Sequence, residues 1–147
     1  MGDRPALQQI IHATTVAVDQ RGLVILGASG RGKSSLALQL IALGATLVAD
    51  DRTVLSQVGN GLLAKAPDTI KGRIEARGVG LLTLPFVSDI SIYLSVDLDH
   101  DEKERLPFAH EVTLVDRVIP CLHRCSGPHF PAALLLYLRT MKPQQDE

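Results

Sequence analysis

The sequence predicts an α/β fold, with a strand-rich mixed sheet core that carries a P-loop. Three observations predict it. Short β-branched and apolar runs recur along the chain and outnumber segments of helical periodicity. One of them, residues 23–26, is wholly apolar, as a strand buried on both faces should be. It leads directly into Gly27-Ala28-Ser29-Gly30-Arg31-Gly32-Lys33-Ser34, which satisfies the pattern of Gly, four residues, then Gly-Lys-Ser.

The elements follow in order. Residues 10–18 are rich in β-branched side chains (Ile10, Ile11, Thr14, Thr15, Val16, Val18) and read as a strand. After the glycine-rich loop, Leu36, Leu40 and Leu43 recur at helical spacing across 33–43, Ala37 and Ile41 widen the stripe, and Gly44 supplies the stop. Residues 46–49 return as a strand into Asp50 and Asp51. Runs at 53–58 and 62–66 flank Gly59-Asn60-Gly61, a strong hairpin signal. Ile90, Ile92, Leu94 and Val96 alternate with Asp89, Ser91, Tyr93, Ser95 and Asp97, which predicts a half-exposed strand. Strands are expected at 112–115 and 118–122, and a final helix at 132–141 with Pro131 in its first turn. A doubly wound nucleotide-binding domain would alternate strand and helix along its whole length, so the expected core is a mixed one.

Composition bounds the function. The 147 residues fall within the size of one domain and show no second composition block, so 1–147 is read as a single domain. Its charged ends, 2–4 and 142–147, are too short to be linkers. Apolar residues at 46% and charged residues at 21% suffice for a soluble core. Aromatics at 3%, with no Trp, argue against base stacking. A net charge of −1 gives no electrostatic case for nucleic acid. The longest apolar run, 132–138, is far below the roughly 18 to 20 residues that cross a bilayer, and no apolar signal core opens the chain, so no membrane partner and a cytoplasmic location are expected. Cys121 and Cys125 alone make no disulfide scaffold, which fits a reducing compartment.

The loop carries the chemistry. Its backbone N–H groups and the helix terminus that follows are suited to nucleotide phosphates, with Lys33 on the β and γ phosphates and the Ser34 hydroxyl on Mg²⁺. Asp50 and Asp51 end the next strand, where one carboxylate can take a proton from an attacking hydroxyl while its neighbour serves metal or water. His12 can reach the same place if its strand pairs with 23–26. Glu75-Ala76-Arg77-Gly78-Val79-Gly80 reads by itself as a solvated turn. Cys121, His123, Cys125 and His129 offer soft ligands within nine residues, but their spacing fits no common zinc motif; buried thiols and surface histidines are the simpler reading.

Taken together, His12, the loop 27–34, Leu47-Val48-Ala49-Asp50-Asp51 and the segment 75–80 resemble the catalytic domain of HPr kinase/phosphorylase in order, spacing and motif across roughly 12–120. That resemblance implies the HPr kinase and PEP carboxykinase-like fold, with ATP and Mg²⁺ as cofactors. The implied activity is serine phosphorylation of HPr or a related phosphocarrier, with phosphorolysis as the reverse step, in control of carbon and nitrogen metabolism. It implies Asp51 as the base, with Asp50 supporting it, and Lys33 and His12 at the phosphates. Ser34 and Glu75 fall on the Mg²⁺ ligands, and Arg77, Gly78 and Gly80 on the signature segment. Arg105 falls where the family has a catalytic arginine, and nucleotide contact extends over Gly27 to Ser34 and Ser35. Where the family has acids flanking this loop, the chain has Ala28 and Ser35, so phosphate and metal affinity are expected to be tuned differently. A homohexamer is the assembly implied. Two other readings share the core: a small-molecule or carboxykinase-like kinase, and a nucleotide sensor with a two-component signalling partner.

Overall fold

The computed structural model describes residues 7–143; the charged stretches 2–4 and 144–147 lie outside the described residues. Strand formation begins with two strands where the β-branched run suggested one. β1 (Gln8–His12) and β2 (Thr14–Val18) are separated at Ala13 and take different partners. β2 forms a hairpin with β3 (Arg21–Leu26) through Asp19 and Gln20, both at positive φ, and this two-residue turn suits the twist of paired strands. β1 instead pairs with β5 (Arg52–Val58), with His12 opposite Arg52. A local pattern cannot see such a change of partner, because both halves have the same β propensity.

Between β3 and β5 lie helix α1 (Lys33–Ala42) and strand β4 (Thr46–Ala49), which pairs with β2. β5 turns into β6 (Gly61–Lys65), so the expected hairpin forms, with Gly59 and Asn60 as its two-residue loop and Gly61 already in the strand. A short 3₁₀ turn, Asp68–Ile70, then leads to a separate hairpin of β7 (Arg73–Ala76) and β8 (Gly80–Thr83). Then come β9 (Ile90–Asp101), β10 (His110–Leu114), β11 (Arg117–Arg124) and helix α2 (Phe130–Thr140), with Pro131 in its first turn.

Among the described residues the main sheet has nine strands in the order β1-β5-β6-β9-β3-β2-β4, with β11 on β9 and β10 on β11. β9 lies parallel to both β3 and β11, so the sheet is mixed. It is also central. The half-exposed strand expected at Ile90–Asp97 is therefore covered over its middle: Ser95 is fully buried and donates its hydroxyl to the Pro120 carbonyl at 3.0 Å.

Alternation along β2 and β3 divides the core. Val16, Val18, Leu23 and Ile25 face α1 and α2, packing with Leu36, Leu40, Leu134 and Leu138. Ala17 and Val24 point the other way, towards Leu55, Leu62 and Ile92 of the sheet as it curls over. Ile74 of the small hairpin is fully buried in the first of these clusters, so truncating it to Ala should cost about 2–5 kcal/mol. That anchorage fixes the hairpin beside α1. No helix among the described residues is long and apolar enough to cross a membrane.

Candidate active site

The turn from β3 into α1 depends on glycine. Gly32 caps the helix at φ 96, in the left-handed region that side chains disfavour, and Gly27 adopts φ 151 where a Cβ would lie 3.2 Å from Leu98 Cβ. Lys33, only 7% exposed, folds back so that Nζ donates to the Gly27 carbonyl at 2.7 Å. The Ala28 N–H donates to both Asp99 carboxylate oxygens at 3.1 Å, and Arg31 Nε donates to Asp99 Oδ1 at 3.2 Å. The Ala28 N–H does most to hold the Asp99 carboxyl below its ordinary pKa, and Arg31 adds to it.

The two aspartates after β4 diverge. Asp50 turns inward, 8% exposed; its Oδ1 accepts from the Ser34 hydroxyl at 2.6 Å and the Thr14 hydroxyl at 3.0 Å, and its Oδ2 accepts from the Glu75 N–H at 3.1 Å. Three donors thus compensate for burying a carboxylate. Asp51 turns outward. Its φ of 70 and the bond from Arg52 N–H to the Asp50 carbonyl at 2.7 Å make a three-residue reversal, a strained arrangement for a non-glycine residue. Thr14 helps to hold it there, because the same hydroxyl that donates to Asp50 accepts the Asp51 N–H at 3.1 Å.

His12 arrives beside Asp51 by a different route from the one its sequence position suggests. The hairpin with β3 belongs to β2; His12 reaches the site because β1 pairs with β5, whose first residue follows Asp51. Its Nε2 lies 2.5 Å from Asp51 Oδ1, and as a carboxylate can only accept, Nε2 carries the proton. Both side chains are more than half exposed, so this contact orients Asp51 more than it stabilises the fold.

The segment expected to be a solvated turn is a paired hairpin, with only its tip in a turn. Glu75 sits opposite Leu81, and the Val79 N–H closes the tip on the Ala76 carbonyl at 2.9 Å. Glu75 and Arg77 border a cavity of about 290 Å³ together with Gly30, Gly32, Lys33 and Ser34. A second cavity, of about 540 Å³, is bordered by Ser34, Asp50, Arg73 and Glu75, and a third, of about 330 Å³, by Ile10, His12 and Arg52. Asp51 borders all three.

The oxygen set of Ser34, Asp50 and Glu75 fits a hard divalent cation such as Mg²⁺. Arg105 borders none of these cavities; it is exposed on the segment linking β9 to β10. Cys121 is buried, and Cys125 Sγ lies 4.0 Å from His129 Nε2. Sequence reasoning missed Thr14 and Asp99. Thr14 reads only as a strand former, whereas Asp99 had a usable signal, a carboxylate just past the alternating run that ends at Asp97.

Comparison with known proteins bears on the family and the fold. The family model of the HPr Serine kinase C-terminal domain matches residues 3–104. This chain belongs to that family. Among curated relatives, an HPr kinase/phosphorylase of Caldanaerobacter subterraneus subsp. tengcongensis is 39% identical over 160 aligned positions, covering 100% of this chain and 52% of the relative. One from Mycoplasmopsis pulmonis is 43% identical over 74 residues, 50% of this chain and 24% of the relative. The chain thus spans about half or less of the length of these relatives. The solved structure of the Hpr(Ser) kinase/phosphatase from Coxiella burnetii superposes with a TM-score of 0.75 at 26% identity, covering 89% of this chain and 94% of that one. The strand-rich mixed α/β core of the HPr kinase fold is therefore the fold of this chain.

Proposed function

We propose that this chain, with residues 1–147 as one catalytic unit, phosphorylates a serine of HPr or a related phosphocarrier using ATP and Mg²⁺. The observation that carries the reading is the position of Asp51, on the border between the glycine-rich loop and two further cavities and hydrogen-bonded to His12. The names of the relatives support the substrate.

In this reading the loop is a P-loop. Backbone N–H groups of the loop surround the phosphates, apart from those of Ala28, which Asp99 holds, and Arg31, which donates to the Ala28 carbonyl; Lys33 leaves the Gly27 carbonyl to neutralise them. Ser34 and Glu75 hold Mg²⁺, with Asp50 fixing the Ser34 hydroxyl; the bound ion supplies charge neutralisation on the transferring phosphoryl group. The substrate serine approaches from the larger cavity. Its oxygen forms a bond to the γ-phosphorus as the bond to the bridging oxygen of ADP breaks, and its proton passes to Asp51 Oδ2 while Oδ1 keeps the His12 hydrogen bond. In the reverse direction inorganic phosphate attacks phosphoserine, pyrophosphate forms, and Asp51 returns the proton to the serine oxygen. Arg105, on a segment leaving the same sheet edge as the loop, adds positive charge when that segment closes, and Arg77, Gly78 and Gly80 shape the hairpin tip over the phosphates. A cytoplasmic homohexamer is the form proposed to act.

Incubation with γ-labelled ATP, Mg²⁺ and purified HPr tests the reading. Label on an HPr serine is the expected result. Label on a small metabolite instead, or tight nucleotide binding with no transfer to HPr, overturns it.

A further inference from the structure

The segment between β9 and β10 is closed at its base by side chains that the reaction above does not use. Glu102 Oε2 accepts the N–H groups of Lys103 and Glu104, each at 3.1 Å, which leaves Oε1 facing His110 Nε2 at 3.1 Å. His110 stacks on His123 of β11, with ring centroids 3.8 Å apart and planes 11° from parallel. One ligand atom from each of these residues lies within 4.8 Å of the other two. The pair is sheltered, with the Glu102 side chain 13% and the His110 side chain 27% exposed.

We propose that Glu102, His110 and His123 form a binding site for a divalent transition-metal ion of the zinc class. Two imidazole nitrogens and one carboxylate oxygen suit Zn²⁺, whereas Mg²⁺ and Ca²⁺ select oxygen donors. Three protein ligands leave the fourth tetrahedral position for water. Ligands about 2.0–2.2 Å from a tetrahedral ion are roughly 3.3 Å from one another, and the Glu102–His110 edge already has nearly that length. The parallel rings must splay so that both lone pairs converge on the ion. Backbone N–H bonds to Glu102 pre-orient the carboxylate, as supporting groups do around metal ligands.

The site has a structural consequence. Glu102 and His110 stand at the two ends of the segment 103–109, which carries Arg105 and the exposed Leu106 and Phe108. The Glu102 N–H also donates to the Arg124 carbonyl at 2.7 Å, and Arg124 Nη1 donates to the Arg31 carbonyl at 3.3 Å. An ion at this base ties the segment to the glycine-rich loop.

The test is calorimetric titration of the full chain, free of any histidine tag and stripped by chelator, with ZnCl₂ in buffer saturated with Mg²⁺. One equivalent of Zn²⁺ is expected. Glu102→Gln and His123→Gln should each weaken binding about tenfold or more, since even supporting groups around a metal contribute 10- to 100-fold. The double variant Cys125→Ser/His129→Gln should bind as the wild type does. No binding by the wild type, equal binding by the Glu102 and His123 variants, or loss in the Cys125/His129 variant overturns the site. Imidazole NMR signals of the wild-type chain decide the matter if a variant fails to fold: Zn²⁺ should move those of His110 and His123 and leave His129 in place, and any other pattern overturns the proposal.

Discussion

Thr14 Oγ1 donates to Asp50 Oδ1 at 3.0 Å, joining a fully buried strand residue to the carboxylate that holds Ser34. The same oxygen accepts the Asp51 N–H. Thr14→Val keeps the shape but strands both partners, so it should destabilise the fold by about 1–3 kcal/mol. Thr14→Ser should recover most of that loss. Urea unfolding of the two variants measures the difference, and equal stability of Val and Ser would remove the hydroxyl from the account.

Asp51→Asn keeps the size of the side chain but not its basicity. Phosphoryl transfer to HPr should fall by about 10²- to 10⁴-fold, the usual contribution of a positioned base. Nucleotide affinity, measured separately by calorimetry, should remain. Parallel loss of both would mean that the substitution disturbs the strained turn rather than the proton transfer.

Lys33 now donates to a carbonyl of its own loop. If that ammonium moves to the phosphates, Lys33→Ala should weaken ATP binding by about 1.5–3 kcal/mol, the range for a hydrogen bond to a charged group, or roughly 10- to 150-fold in Kd. Adenosine lacks phosphates, so its affinity should change little; an equal loss for adenosine and ATP would contradict the phosphate role.

Asp99 has a pKa lowered from 3.8, principally by the Ala28 N–H. A carboxyl depressed in the folded state stabilises it above the unfolded pKa and loses that contribution as pH falls through the folded one. The contact between Asp99 and the glycine-rich loop should therefore persist through neutral and mildly acidic pH and weaken only below 3.8. Carboxyl NMR should give Asp99 a midpoint under that value; a midpoint at or above it would show that the loop N–H is not donating.

Burial is the main cause raising the Cys121 thiol above its ordinary pKa, and its side chain is enclosed. Cys125 is partly exposed. An alkylating reagent at neutral pH should label Cys125 first and reach Cys121 only on unfolding, as mass spectrometry of timed samples can follow. Equal labelling rates in the folded chain would refute the burial.

The sequence by itself determined the pieces whose physics is local. A wholly apolar run before a glycine-rich loop makes β3 and the start of α1, and Gly59-Asn60 makes the turn of the β5–β6 hairpin. Glycines at positive φ make the loop legible because few other residues adopt that backbone. Tertiary structure decided what depends on partners distant in the chain. It split residues 10–18 into two strands, since strand exchange at Ala13 follows from sheet pairing and leaves no mark on propensity. It set the solvated turn, residues 77–79, at the tip of a paired hairpin, because Ile74 finds a core to enter and the Glu75 N–H finds Asp50. It also separated two adjacent aspartates into a buried anchor and an exposed group beside His12, a distinction set by which donors surround each carboxylate.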